Sequence, residues 1–303
     1  MMQRLATFAM AARWRAVLTA TLSAAAALVF PPLTSPLNYL GGAVIGLVSL
    51  RLGAREGAGV LVAGVALLAV LGLATGGLAA ALAVATLMLW LPVWLAALLL
   101  RTSQALGLTL RTIGTAGVVL VMLAHLWLGD PQAWWLPRLN EVLKPVIEGQ
   151  GIDVSSYVSE LARWMTGLLG AAVVLSVVLS LLLARAWQAG LYNPGGFGTE
   201  FRQLALGRGA ALAGLVLVAL AALSPAGAMQ AFAADAVPTL LVLYVVQGLA
   251  IVHALVERYQ ARRGWLVALY VLLLFAAPQM MPLVALVGWS DTWIDLRRRA
   301  GRP

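Results

Sequence analysis

The chain has 303 residues, 62% of them hydrophobic and 10% charged, with a mean hydropathy of +0.95 and a net charge of +9. A soluble domain carries about 25% charged residues, so these charges are too few to cover a water-facing globule and the composition calls for a bilayer. Cysteine is absent, which excludes disulfides, thiolate nucleophiles and Cys-based metal or cluster sites.

The first element follows a basic lead, MMQRLATFAMAARWR, and runs apolar to Phe30 before Pro31 and Pro32. A signal peptide begins the same way, but this run soon meets another helix, so it is read as an uncleaved first span. Apolar segments then recur at 37–52, 57–74, 77–100, 112–129, 162–187, 208–223, 236–257, 262–277 and 280–296. Crossing the hydrocarbon takes ~20 helical residues. Runs of this length predict helices; barrel strands would alternate in ~10-residue pieces. The fold class is therefore all-α: a polytopic transmembrane bundle of about nine or ten membrane-embedded helices, read as one integral membrane domain over 1–303. The shorter segments must tilt, thin the bilayer or enter without crossing.

Charges between the segments alternate. Arg4, Arg13 and Arg15 precede the first helix; Arg51 and Arg55 follow the second, Arg101 and Arg111 the fourth, Arg185, Arg202 and Arg208 the sixth, and Arg258, Arg262 and Arg263 the eighth. The intervening loops are neutral or acidic, and Asp235 is read as standing alone in the loop before the eighth helix. By the positive-inside rule the N-terminus is cytoplasmic. Arg297, Arg298, Arg299 and Arg302 at the other end require an even number of passes. Pro278 and Pro282 disfavour helix before them, so the last stretch is read as two short helices meeting at AAPQMMP, with one kinked pass as the alternative. The expected location is a bacterial inner membrane, with both termini in the cytoplasm.

Two loops stand out. The segment 130–160 is extracytoplasmic, and Leu136, Leu139, Leu143 and Ile147 in it follow helical spacing, which predicts an amphipathic surface helix over 136–149. The segment 188–207 is cytoplasmic. Pro194-Gly195-Gly196 marks a turn, Thr199 is placed to cap a short helix, and Phe197, Phe201 and Leu204 share a face.

Exclusions are firmer than any positive motif. The single lysine, Lys144, lies in EVLKPVI, so no Walker A loop exists. His125 and His253 lie in different helices and neither begins an HExxH motif; no G-x-S-x-G elbow is present. No catalytic, cofactor or metal residues are assigned, no cofactor is expected, and the chain is not read as an enzyme. The arginines flank apolar runs instead of forming one patch, so no nucleic acid is expected.

Polar residues inside apolar runs mark sites in a membrane protein. Asn38, Tyr244 and Gln247 are the candidate solute-lining residues, with interhelical hydrogen bonding as the competing role for Gln247. His125 is read as reaching for the outer interface. Phe197, Glu200, Phe201 and Arg202, together with Asp291 and Asp295 at the C-terminal cluster, form a candidate partner surface. In DTWIDLRRR, Asp295 stands three and four residues before Arg298 and Arg299, a spacing that pairs charges on one helical face. Ala16, Ala20 and Ala24 are spaced for close helix–helix contact.

The ending LVGWSDTWIDLRRR, with QGLAIVHALVERY and NPGGFGTEFRQL before it, resembles the YybS-like bacterial membrane proteins, through its terminal G-x-x-D-x-W-x-D-x-R pattern. That group is distantly similar to the substrate-binding S components of energy-coupling factor transporters. The resemblance implies a solute-binding or transport component without its own ATPase, partnered by the lipid bilayer and a membrane coupling subunit that Ala16, Ala20 and Ala24 would face. A membrane scaffold or assembly factor binding other membrane proteins is the second reading.

Overall fold

The computed structural model describes residues 2–29, 34–74, 78–147, 155–262 and 264–299. Every regular element among them is a helix: α1 (Met2–Met10), α2 (Arg13–Val29), α3 (Thr34–Leu52), α4 (Ala54–Ala74), α5 (Leu78–Ser103), α6 (Leu106–Leu128), α7 (Pro131–Ile147), α8 (Ser155–Tyr192), α9 (Gly196–Arg202), α10 (Gly207–Leu223), α11 (Ala228–Arg258), α12 (Gly264–Phe275), α13 (Ala277–Ile294) and α14 (Leu296–Arg299). The protein is a polytopic helical membrane protein. Five helices, among them α4, α6, α8 and α11, are long and apolar enough to cross a bilayer; α9 and α10, bent by 52° at their junction, make a sixth if counted as one span. Leu37–Leu52, within α3, and Gly264–Phe275 are shorter apolar helical stretches.

The chain divides into two compact units, Met1–Ile113 with Leu175–Leu204, and Gly114–Val174 with Ala205–Pro303. In the first, α3 is the central helix. Residues 41–50 are all buried, and α2, α4 and α5 pack around them. Ala16, Ala20 and Ala24 are buried in α2, where small side chains let helix backbones approach closely. At the exit of α3, Arg101 from α5 donates to the carbonyls of Ser49 and Leu50 at 3.3 and 3.0 Å, occupying acceptors that a helix end leaves open. Arg13 and Glu56 form an ion pair at the starts of α2 and α4.

In the second unit α11 is the organising helix, packed on α10 and α13. It touches α13 through glycine. A Cβ on Gly248 would collide with the carbonyl of Val284, and one on Gly288 with the carbonyl of Tyr244, so the two backbones lie as close as helices can. Beside this crossing Gln247, fully buried, closes a clamp. Its Oε1 accepts from the Leu206 N–H at 2.8 Å, and its Nε2 donates to the Gly288 carbonyl at 2.6 Å and the Thr292 hydroxyl at 3.3 Å.

The last stretch is two helices that meet at Ala276, the first residue of AAPQMMP, with Pro278 at the second position of α13 and Pro282 inside it; an N–H in that first turn has no intrahelical partner, so the proline there costs little. Other local expectations change. The amphipathic helix of the 130–160 loop starts earlier, at Pro131, because Asp130 accepts the Ala133 N–H at 3.1 Å as its cap. The expected stretch of that helix beyond 147 lies outside the described residues. Thr199 does not cap α9. The helix already begins at Gly196, after Gly195 takes the left-handed conformation (φ 88°) that suits glycine, and Thr199 sits inside it.

Candidate functional site

The site lies wholly in the second unit and is built where α6, α8 and α11 come together. Hydropathy starts the eighth span at 236, but α11 begins at Ala228, since AMQAFAAD is composed of helix formers and Pro238 is accommodated inside the helix. Asp235 is therefore two turns within a membrane helix, 3% exposed. His125, in the last turn of α6, is 9% exposed and does not reach for the interface; its Nε2 lies 2.8 Å from Asp235 Oδ2. The other carboxylate oxygen accepts the backbone N–H of Gly167 on α8 at 3.1 Å. That contact requires glycine: a Cβ at 167 would stand 2.8 Å from the Asp235 Cα, carbonyl oxygen and Oδ1 alike. Phe232 meets the imidazole edge-on at 6.0 Å between ring centroids.

The pair faces a cavity of about 790 Å³, which is also lined by Asp130, Gln132, Arg163 and Trp164. The Arg163 guanidinium lies 5.5 Å from the Trp164 ring, close enough for cation–π attraction. Trp135 on α7 donates to the Thr166 hydroxyl at 3.0 Å, pinning that helix to α8 beside the cavity. An ionised Asp235 has both oxygens held by donors, and with Nε2 donating, the imidazole keeps Nδ1 for a second partner or a proton. The lining offers donors and acceptors of both signs around a mostly small, apolar wall; no serine or threonine hydroxyl lines it among the described residues.

The residues singled out in the sequence distribute differently. Tyr244 and Gln247 both lie on α11, Tyr244 in the wall of an apolar groove and Gln247 in the clamp. Asn38 belongs to α3 in the first unit, half-buried, with Oδ1 unpartnered among the described residues. Of the candidate partner surface, Phe197, Glu200, Phe201 and Arg202 fall in the first unit and Asp291 and Asp295 in the second. Phe197 and Phe201 lie 5.7 Å apart on α9. Glu200 pairs with Arg185 at 2.8 Å, at the edge of a polar pocket of about 540 Å³ shared with Arg51 and Arg101. Asp291 is buried and bonded to Arg297 at 2.7 Å. α13 ends at Ile294 and Asp295 turns left-handed (φ 50°), accepting the Arg298 N–H at the start of α14, and the expected pair with Arg298 forms, its Nε 3.6 Å from Asp295 Oδ2.

Sequence reasoning missed the His125–Asp235 pair. The signal was present as two lone ionisable groups beside apolar runs, the kind that marks function inside a membrane, but the misplaced start of α11 put Asp235 in a loop.

No curated protein and no solved structure matches the chain. Residues 147–292, just under half of it, match a family described as a predicted membrane protein (DUF2232).

Proposed function

We propose that the protein is a solute-binding or transport component of a bacterial inner membrane, without an ATPase of its own. One observation carries this reading: a buried, hydrogen-bonded His125–Asp235 pair inside membrane helices opens onto a cavity of about 790 Å³. Ionisable groups are costly in a bilayer and persist where they line a solute or proton path. A cavity of this size is in the range that holds a small molecule. The resemblance to S components points the same way. With both termini cytoplasmic, as the arginine distribution indicates, the cavity opens on the outer side, next to α7.

Native mass spectrometry of the protein extracted in mild detergent tests the reading. The expected result is a small molecule that co-purifies with the wild type and is lost in Asp235→Asn. A membrane-protein partner recovered with no small molecule would replace it with the scaffold reading. For orientation, a reporter fused after Pro303 is expected to act only in the cytoplasm; activity confined to the outside overturns the arrangement.

A further inference from the structure

We propose that the first unit holds a second binding site, for the phosphate group of an anionic molecule, in the polar pocket lined by α3, α5, α8 and α9. The phosphate belongs either to a phospholipid head or to a soluble phosphate ester, since one recognition chemistry serves both. The proposal does not depend on the solute-binding reading, because every residue of this pocket lies in the first unit.

The charge balance comes first. Arg51, Arg101 and Arg185 line this pocket of about 540 Å³ against one carboxylate, Glu200. Glu200 accounts for Arg185: its Oε2 accepts from the Arg185 Nε at 2.8 Å, and Nη1 of the same arginine donates to Gln188 Oε1 at 2.8 Å. Arg51 and Arg101 pair with no carboxylate among the described residues. Both stand in the last turns of their helices, where each dipole offsets about half a charge. About one positive charge is left over, which one phosphodiester neutralises.

The two uncompensated guanidiniums are held in place with donors to spare. Arg101 uses Nη1 on the Ser49 and Leu50 carbonyls, while its Nη2 and Nε donate to nothing among the described residues. It rests against the turn between α3 and α4, where Gly53 is left-handed (φ 105°) and a Cβ would stand 3.6 Å from the Arg101 Cζ. The Arg51 guanidinium lies 4.2 Å from the centre of the Tyr192 ring, a stacking that fixes its plane and leaves its edge donors open. Gln104, left-handed at φ 51° just after α5, adds its amide to the lining. A helix end alone explains one arginine; it does not explain two lining the same pocket without a counter-ion. Held forks of this kind take phosphate oxygens in pairs. Leu52 and Tyr192, both exposed, border Arg51 with apolar surface. On the orientation given by the arginines this is the cytoplasmic end, where basic pockets between membrane helices take acidic lipid heads.

Native mass spectrometry of the full chain in mild detergent tests this with three probes. These are phosphatidylglycerol, phosphatidylcholine of matched chains, whose choline cancels the phosphate charge, and soluble glycerol 3-phosphate. The expected result is that phosphatidylglycerol, glycerol 3-phosphate or both bind, and that Arg51→Gln weakens that binding about tenfold, the worth of a charge-assisted hydrogen bond. This variant gives up only a ring contact, so the fold is retained; Arg101→Gln, which also uncaps α3, is the second variant and should weaken binding at least as much. Arg111→Gln removes an exposed arginine outside the pocket and should change binding less than about twofold. Phosphatidylglycerol bound at least about tenfold more tightly than phosphatidylcholine, with glycerol 3-phosphate failing, assigns the phosphate to lipid. Glycerol 3-phosphate bound with the same dependence on Arg51 assigns it to a soluble ester. The site is overturned if no probe binds, if Arg51→Gln and Arg111→Gln weaken binding equally, or if Arg51→Lys, which keeps the charge without the fork, binds as the wild type does. None of these outcomes touches the co-purification test on Asp235→Asn.

Discussion

Two buried polar groups on α11, Asp235 and Gln247, stand twelve residues apart, about 18 Å along the helix. Both are inside a membrane helix, and from the sequence Gln247 stood among the candidate solute contacts, with interhelical hydrogen bonding as the competing role. The structure gives them opposite surroundings. Gln247 makes three hydrogen bonds, two of them to backbone atoms on α13 and at the start of α10, and the described cavities do not include it. Asp235 is also held, by His125 and Gly167, but its helix turn forms the wall of an open cavity. Polarity in a membrane helix therefore does not by itself mark a binding residue. What separates the two is whether the partners close the space around the group or leave it facing a void.

This contrast can be broken by mutation. The largest effect on stability is expected at the glycine crossing beside Gln247. Gly248→Val drives a branched side chain into the Val284 carbonyl, and backbone cannot yield as a flexible side chain does. Loss of the monodisperse peak in fluorescence-detected size exclusion is the expected outcome, and a normal peak with unchanged melting temperature would mean that the helices are not in contact there.

Gln247→Leu comes next. It strips the Leu206 N–H and the Gly288 carbonyl of their partner, at a cost of about 1–3 kcal/mol. A lower melting temperature with ligand affinity retained would confirm a clamp. If affinity falls while the melting temperature holds, Gln247 is a solute residue after all and the contrast collapses.

The smallest stability effect belongs to Asp235→Asn, which preserves shape and still accepts the Gly167 N–H. Hydrogen bonds to charged groups are worth about 1.5–3 kcal/mol and neutral ones about 1, so the melting temperature should move less than in Gln247→Leu while ligand binding is lost. A sharper version compares Asp235→Glu, which keeps the charge but shifts the carboxylate by one methylene relative to His125 and the Gly167 N–H, so the longer acid should fail to restore binding.

Much of the fold was legible because hydropathy reports it directly. The stretches 57–74, 112–129 and 162–187 became α4, α6 and the core of α8, and the break before Pro278 followed from proline chemistry. The site was less legible. The start of α11 is set by alanines that are good helix formers without being strongly apolar, so hydropathy passed over Ala228 to Ala234 and left Asp235 outside. For Gln247 the interhelical role was legible but its partners were not. Its partners are backbone atoms 41 residues away in either direction, and no side-chain pattern announces a carbonyl. The end of α13 was hidden in the same way: the Asp295–Arg298 pair forms as its spacing suggests, but nothing in that spacing announces the left-handed turn at Asp295.

The protein carries only two imidazoles, and each lies near an aromatic ring: His125 against Phe232, and His253 5.9 Å from Tyr270 by ring centroids. One is sealed into the cavity wall and the other stands near the opposite end of α11. Ring currents from different neighbours give the two resonances distinct positions, so histidine-selective isotope labelling yields a two-line spectrum. One line reports what enters the cavity, and the other serves as an internal reference in the same helix bundle.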